Sequence, residues 1–228
     1  MSSLMDQPAP SQPVTVDVVS DVVCPWCYLG KRRLEHAIAQ VPEVAVAIHW
    51  RPYSLDPTVP PEGEDRAAYI IRKFGSLAAI DGAHERLIDL GRTEGIDYHF
   101  ERITRAPNTM DAHRVVRWAS AAGAGAAMVE RLFAAYFSEG RDVGNHDVLG
   151  ALAGEVGLPG PEISARLASD QDRDAVAAEI ENAYRIGVTG VPCFILAGRY
   201  GVMGAQPVEA LVAAIRQAAG EQVAATAS

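Results

Sequence analysis

The spacing of hydrophobic and polar residues changes along the chain, and each change predicts a different element. Residues 14–19 are β-branched and partly alternating, which predicts a strand buried on at least one face. Residues 25–41 place apolar and charged side chains at helical spacing, which predicts an amphipathic helix. Residues 44–50 predict a second strand, stopped by Arg51-Pro52. A β-α-β unit therefore closes near residue 56.

The spacing is helical almost everywhere in residues 64–186. Strand character returns in residues 194–196 and 200–203, which predict a hairpin, and a last helix is predicted from Pro207 to about Ala219. The order β-α-β, helices, β-β-α predicts an α/β fold split by a helical insertion.

These patterns predict how the chain is divided into domains. Residues 14–63 and 187–220 would form one discontinuous α/β domain, and residues 64–186 a helical insertion domain. Residues 1–13 are rich in Pro, Ser and Gln and lack the basic and apolar regions of a signal peptide, so they predict a flexible tail.

Composition and charge exclude several classes of protein. Hydrophobic residues make up 49% of the 228 residues, which excludes a disordered chain. No run approaches the roughly 20 apolar residues of a membrane span, and the net charge of −9 gives no basic surface for phosphate backbones. We therefore expect neither a membrane nor a nucleic acid as partner, and a cytoplasmic location.

A Cys-Pro-Trp-Cys segment, residues 24–27, stands where the first strand gives way to the first helix. The free N–H groups at the start of a helix favour the thiolate of Cys24, and Cys27 lies one turn further in, where a resolving thiol is needed. The spacing fits a redox-active disulfide. Half of a zinc site is the alternative, but a second pair of ligands is absent and Cys193 stands alone.

Several further segments accompany this motif. They are residues 20–30 around the cysteines, Trp50-Arg51-Pro52-Tyr53, Asn108-Thr109 with Ala112-His113-Arg114, Gly190-Val191-Pro192, and Gly204-Ala205-Gln206-Pro207. Together they resemble the DsbA-family thioredoxin-like proteins, and within them the FrnE-like branch, often labelled polyketide-biosynthesis dithiol-disulfide isomerases. The resemblance covers residues 14–219. It implies a thioredoxin fold interrupted by a helical domain, with dithiol-disulfide exchange as the activity.

The resemblance also implies roles for residues around the pair. Pro192 would be the cis-proline that faces the cysteines, and Val191 would offer backbone groups to an extended substrate. Pro25 and Trp26 would support the site from within the motif, and Trp26 stands where strongly oxidising relatives carry a histidine.

The segment around Asn108 and His113 has two interpretations. The resemblance would aim it at the cysteines to position substrate. Alternatively, Asn108 or Thr109 caps a helix and His113 is a packed or solvent-facing histidine.

Three other residues have both functional and structural interpretations. Asp17 or Asp21 could relay a proton to Cys27, or could be a strand-face residue and a turn or cap residue. Cys193 could exchange with the pair, or could be a small buried apolar residue.

The leading hypothesis is a thiol-disulfide oxidoreductase, a reductase or isomerase, that acts on protein or small-molecule disulfides through a mixed disulfide. We expect no tightly bound cofactor, with glutathione or another low-molecular-weight thiol as a candidate co-substrate, and a homodimer stays open. The alternative is a glutathione-dependent isomerase or kappa-type glutathione transferase of the same fold. Those enzymes usually carry a serine at the position of Cys24. A non-enzymatic binding or chaperone module would not need the cysteines.

Overall fold

The computed structural model describes residues 12–226, and its first elements form the predicted β-α-β unit. Strand β1 (Val14–Ser20) leads into helix α1 (Pro25–Ala39), and strand β2 (Val46–Pro52) follows. β1 and β2 are parallel and in register from Val14 opposite Val46 to Ser20 opposite Pro52. Residues 1–11, most of the predicted tail, lie outside the described residues.

The predicted end of β2 was wrong. The strand begins at Val46 and continues through Arg51 and Pro52. β2 is an edge strand of the sheet, and a proline is tolerated there because its missing N–H can face away from the neighbouring strand. Arg51 donates a hydrogen bond to the Asp17 carboxylate in the middle of β1 at 2.6 Å, which links the two strands.

The chain between β2 and the C-terminal hairpin is mostly helical, as predicted. Its elements are β3 (Glu64–Asp65), α2 (Arg66–Phe74), α3 (Asp81–Thr93), β4 (Arg105–Ala106), α4 (Met110–Ala121), α5 (Gly125–Phe137), α6 (His146–Glu155), α7 (Gly160–Leu167) and α8 (Arg173–Arg185). Short 3-10 turns cover residues 77–80 and 100–102. The antiparallel pair β3–β4 was not predicted, because strands of two residues leave no readable alternation.

The C-terminal part contains the predicted hairpin, formed by β5 (Cys193–Leu196) and β6 (Tyr200–Met203), and then helix α9 (Val208–Thr226). The predicted end of α9 near Ala219 was wrong, because the helix continues through Gly220. Its apolar positions Leu211, Ile215 and Ala218 are buried in the core. A hydrogen bond from the Tyr200 hydroxyl to Glu221 attaches the added turns to the hairpin.

Within the described residues, the main sheet has the order β2-β1-β5-β6, and two large hydrophobic clusters flank it. One cluster packs α1 and α9 on the sheet through residues such as Val16, Leu34 and Leu211. The other fills the helical part and includes Cys24 and Cys27. The predicted α/β fold with a helical insertion is confirmed, and the cysteine pair belongs to the core where α1 meets the inserted helices.

Candidate active site

Loops from three strands meet at one edge of the sheet. β1 and β2 are parallel and end at this edge, while β5 is antiparallel to β1 and begins there. Cys24 after β1 therefore lies at the same edge as Tyr53 after β2 and Pro192 before β5. Residues separated by up to about 170 positions in the sequence come together because of this topology.

Cys24 is the N-cap residue of α1, with an extended backbone at φ −94° and ψ 112°. Pro25 occupies the first helical position, where a proline is tolerated because the N–H it lacks would have no partner inside the helix. The N–H of Cys27 donates to the Cys24 carbonyl at 3.0 Å, which closes the first turn. Cys24 and Cys27 are only 3% and 2% exposed, so both thiols lie in a shielded turn at the helix start.

The loop before β5 faces the first cysteine. The Cys24 thiol donates to the Val191 carbonyl oxygen at a sulfur–oxygen distance of 3.6 Å. The Val191–Pro192 peptide bond is cis, which is the geometry that the resemblance implies. Val191 is half-buried, whereas Pro192 is buried. The Val191 backbone thus lies beside the sulfur of Cys24, and the roles of Val191 and Pro192 toward substrate stay predictions.

The environment of Cys27 disfavours its thiolate. Burial raises the pKa of its thiol well above the usual value, and the hydrogen bond and charge of Cys24 raise it further. The hydroxyl of Ser20 and the backbone of Asp21 act in the opposite direction, with a smaller effect. A thiol in this environment stays protonated at neutral pH until the chemistry at Cys24 changes its surroundings.

Trp26 is half-buried and packs against the helical core. The guanidinium of Arg86, on α3, lies 5.8 Å from the centre of its ring, within the range of a cation–π contact. The indole thus connects the motif to the helical part.

Tyr98 reaches the motif from the helical part, and the sequence analysis did not single it out. Its hydroxyl donates to the Pro25 carbonyl at 2.6 Å. Tyr98 lies 73 positions after Pro25, in a loop with no periodic pattern of its own. No signal in the sequence links it to the cysteines.

Asp21 and His113 are buried together next to the pair. The Asp21 carboxylate accepts hydrogen bonds from the N–H of Leu55 at 2.8 Å and of Val23 at 3.4 Å. His113 Nε2 lies 3.7 Å from Asp21 Oδ1 and 3.0 Å from the Tyr53 carbonyl oxygen. Since that carbonyl can only accept, Nε2 carries a proton. These contacts join the loops after β1 and β2 to helix α4. They are the contacts of a packed histidine.

Asn108 makes contacts that fix the start of α4. Its side-chain oxygen accepts from the N–H of Met110 at 3.0 Å, and its side-chain nitrogen donates to the Val59 carbonyl at 2.8 Å. Thr109 is the N-cap residue but its hydroxyl makes no capping bond. The capping alternative accounts for the bond to Met110, and the bond to Val59 attaches Asn108 to the loop after β2. A role of Asn108 toward substrate stays a prediction.

Asp17 and Cys193 lie in other surroundings. The Asp17 carboxylate pairs with Arg51 at 2.6 Å and approaches His49 at 3.6 Å. Cys193 is buried in a small cluster with Val19, Tyr53 and neighbouring residues, separate from the core that holds the pair, and burial raises the pKa of its thiol. These contacts match the structural interpretation of each residue.

Helix α1 is held on two sides by charged side chains that follow the motif. Glu130, on α5, accepts hydrogen bonds from Tyr28 at 2.9 Å, Lys31 at 2.7 Å and Arg32 at 2.5 Å. Lys31 is 3% exposed whereas Glu130 is partly exposed, so only the lysine end of this ion pair is shielded from water. Arg33 binds Glu94 at 2.9 Å and donates to the Ala205 carbonyl at 2.7 Å. The helix that carries the cysteines is thereby fixed to both parts of the fold.

A cavity of about 770 Å³ lies between β2 and helices α4 and α8. Ser20, Val22 and His113 are on its wall, but neither Cys24 nor Cys27 is. Among the described residues, no group of three His, Cys, Asp or Glu side chains could hold a metal ion. None of the helices in that part of the chain is long and apolar enough to cross a membrane.

The chain is similar to known proteins along most of its length. A family model for the DSBA-like thioredoxin domain matches residues 15–216. The crystal structure of a probable DsbA oxidoreductase from Streptomyces coelicolor is 33% identical, covers 91% of each chain and superposes with a TM-score of 0.84. The protein YwbO of Bacillus subtilis (strain 168), which is described as uncharacterized, is 29% identical over 80% of this chain and 86% of its own.

More distant structures share the fold. The cytosolic disulfide reductase DsbM from Pseudomonas aeruginosa, solved with GSH, is 20% identical, covers 89% of this chain and 98% of its own, and has a TM-score of 0.63. The predicted thioredoxin fold is confirmed, and the match spans both the α/β part and the inserted helices. The chain belongs to the DSBA-like thioredoxin domain family of thiol-disulfide oxidoreductases.

Proposed function

We propose that this protein is a dithiol-disulfide reductase or isomerase that uses Cys24 as the attacking thiol and Cys27 as the resolving thiol. The observation that carries the proposal is the placement of Cys24 as the N-cap of α1, with its sulfur 3.6 Å from the backbone carbonyl of Val191. A helix start favours a thiolate, and the Val191 backbone lies where an extended substrate would pass.

The reaction proceeds in two balanced exchanges. The Cys24 thiolate attacks one sulfur of the substrate disulfide, the substrate S–S bond breaks, and the other substrate sulfur leaves as a thiolate that takes up a proton. Cys27 then loses its proton and attacks the Cys24 sulfur. The mixed disulfide breaks, the Cys24–Cys27 disulfide forms, and the second substrate thiol is released. Two electrons have moved from the protein to the substrate.

A second thiol must return those electrons for a reductase cycle. Glutathione is the first candidate, because DsbM, which shares this fold, was solved with GSH. Two equivalents would reduce the Cys24–Cys27 disulfide and form one glutathione disulfide. For an isomerase, the first exchange is followed by attack of a different substrate thiol on the mixed disulfide, and no net electrons are transferred.

The two roles assigned to Cys24 and Cys27 distinguish this proposal from the alternative with the same fold. A glutathione-dependent isomerase or kappa-type transferase would use one residue at the position of Cys24 and would not need a thiol at Cys27. Here both residues are thiols, and both lie in the same shielded turn. The FrnE-like assignment, a cytoplasmic location and a homodimer stay predictions.

Insulin reduction tests the proposal directly. We expect the wild type to accelerate precipitation of insulin by a dithiol reductant and Cys24→Ser to lose this activity. Cys27→Ser should lose turnover but accumulate a mixed disulfide with a peptide disulfide, which mass spectrometry detects. Cys193→Ser is the matched control, since this thiol is equally buried but belongs to another cluster. Equal activity of Cys24→Ser and the wild type would show that the proposed chemistry is wrong.

A further inference from the structure

The peptide group between Pro25 and Trp26 accepts a hydrogen bond from outside its own helix. Tyr98 O–H donates to the Pro25 carbonyl at 2.6 Å, a short bond for two neutral groups. Burial raises the pKa of Tyr98 far above its usual value, so the phenol keeps its proton. The hydroxyl therefore acts as a permanent donor to the redox motif.

The position of this hydroxyl is fixed by the helical part. The Tyr98 ring packs edge-on to Tyr28, with centroids 6.0 Å apart, and lies parallel to Phe100 at 5.1 Å. It also lies on Gly91 of α3, where an added Cβ would come within 2.7 Å of the ring. These contacts fix the position of the ring. The hydrogen bond from its hydroxyl therefore fixes the position of the Pro25 carbonyl.

The same peptide group also carries an amide that faces the start of the helix. Pro25 is the first helical residue, so the N–H of Trp26 is one of the first-turn donors that have no carbonyl partner within the helix. Such amides stabilise an anion at the N-cap position, which here is Cys24. A hydrogen bond to the carbonyl of a peptide group polarises it and strengthens its N–H as a donor.

We infer that Tyr98 is a positioning residue of the redox pair, which holds the Pro25–Trp26 peptide and strengthens its N–H toward the Cys24 thiolate. This inference rests on the proposed function, because it concerns the reactivity of the same pair. A stabilised thiolate favours the dithiol form, so Tyr98 makes the protein disulfide easier to reduce. The helical insertion would thus set the redox balance of a pair carried by the α/β part.

The test is the Tyr98→Phe variant, equilibrated with glutathione and glutathione disulfide. In this equilibrium two glutathione thiols are oxidised to one disulfide as the Cys24–Cys27 disulfide is reduced. Since such polarisation changes a hydrogen bond by roughly 10–30%, we expect the equilibrium constant to shift about two- to fivefold toward the protein disulfide. The thiolate absorbance of the variant at neutral pH should fall as well.

Tyr136→Phe is the matched control. Tyr136 is also buried, its hydroxyl donates to a backbone carbonyl, that of Arg105, at 3.1 Å, and it belongs to the same core. Loss of the Tyr136 hydroxyl should lower the free energy of unfolding as loss of the Tyr98 hydroxyl does. It should leave the glutathione equilibrium unchanged. A shift of equal size in both variants would mean that the effect is structural, and the inference would be overturned.

A second measurement keeps the test decisive if Tyr98→Phe does not fold. Site-specific replacement of Tyr98 by 3-fluorotyrosine keeps the ring in place and makes the phenol a stronger donor, so the equilibrium should shift toward the dithiol. If the equilibrium of this variant is unchanged while the wild type equilibrates normally, the role of Tyr98 is contradicted but the proposed function is not. A wild type that does not equilibrate with glutathione or any dithiol would instead contradict the proposed function itself.

Discussion

Gly30, in the second turn of α1, lies directly against the ring of Pro192. A Cβ atom placed on Gly30 would come within 2.7 Å of the Pro192 Cγ and 3.1 Å of the Phe194 ring. The helix that carries the cysteines and the loop that faces them are therefore packed without room for a methyl group. Cys24 belongs to this helix and Val191 to this loop. The distance between Cys24 and the Val191 backbone therefore depends on the contact of Gly30 with Pro192.

Gly30→Ala should push these segments apart. Alanine favours a helix over glycine by about 1 kcal/mol, but overpacking costs roughly 1–3 kcal/mol, so we expect a net loss of stability of about 1 kcal/mol. Disulfide exchange should slow as the Val191 backbone moves from Cys24. Urea unfolding and insulin reduction measure the two effects.

Gly82→Ala is the control for this change. Gly82 lies on α3, where an added Cβ meets nothing within 4 Å, so the helix preference acts alone and the variant should be as stable as the wild type or more so. If Gly30→Ala is as stable and as active as Gly82→Ala, the contact with Pro192 does not constrain the site.

The release of substrate should depend on pH through Cys27. Burial raises the pKa of this thiol above its usual value, so at neutral pH only a small fraction is the thiolate that resolves the mixed disulfide. The release rate should rise about tenfold per pH unit from neutral pH until the raised pKa is reached. Single-turnover release of a labelled peptide from its mixed disulfide with Cys24 provides the measurement. A rate that is flat between pH 7 and about 9 would contradict the assignment of Cys27 as a buried resolving thiol.

The sequence predicts those parts of the site that depend on residues close together in the chain. The strand before Cys24, the proline at the first helical position and the spacing of the two cysteines are all local patterns, and the structure has them where they were expected. Pro192 was located through the resemblance to a known family and not through its own surroundings. Local pattern and family resemblance together gave the fold order and the motif.

The contacts that complete the site depend on residues far apart in the chain. The bond from Tyr98 to Pro25, the contact of Gly30 with Pro192 and the pairing of Asp21 with His113 all arise from packing between elements. No periodic pattern records such contacts. The errors at the end of β2 and of α9 have the same cause, because strand pairing and packing against Tyr200 override local signals.

Cys193 should be dispensable for exchange. It is buried among Val19, Tyr53 and Ala183, in a cluster that does not contain the redox pair. Cys193→Ala removes one sulfur atom from this cluster, and we expect a loss of about 1 kcal/mol in the free energy of unfolding with unchanged turnover. Peptide mapping of the oxidised wild type gives an independent check. A disulfide between Cys193 and either Cys24 or Cys27 would contradict the packing role.

Arg114 should be the most costly polar residue to remove from the helical part. Its guanidinium is fully buried and donates to the backbone carbonyls of Ser169 at 2.6 Å and Gln171 at 2.8 Å. It also binds Arg166 O at 3.2 Å, Leu167 O at 3.3 Å and the Asp111 carboxylate at 2.8 Å. A single side chain from α4 thus satisfies the carbonyls at the end of α7 and neutralises a partly buried charge.

Arg114→Met keeps the apolar length of the side chain but leaves these acceptors without a donor. Each buried acceptor without a partner costs about 1–3 kcal/mol, and water entering the gap recovers part of that, so we expect a loss of roughly 3–5 kcal/mol. Arg117→Met is the matched control on the same helix, because Arg117 is exposed and pairs with Glu179, a surface contact worth about 0–1 kcal/mol. Urea unfolding of both variants measures the difference. Equal losses would mean that the carbonyls at the end of α7 find other donors, and that Arg114 is not what holds α7 to α4.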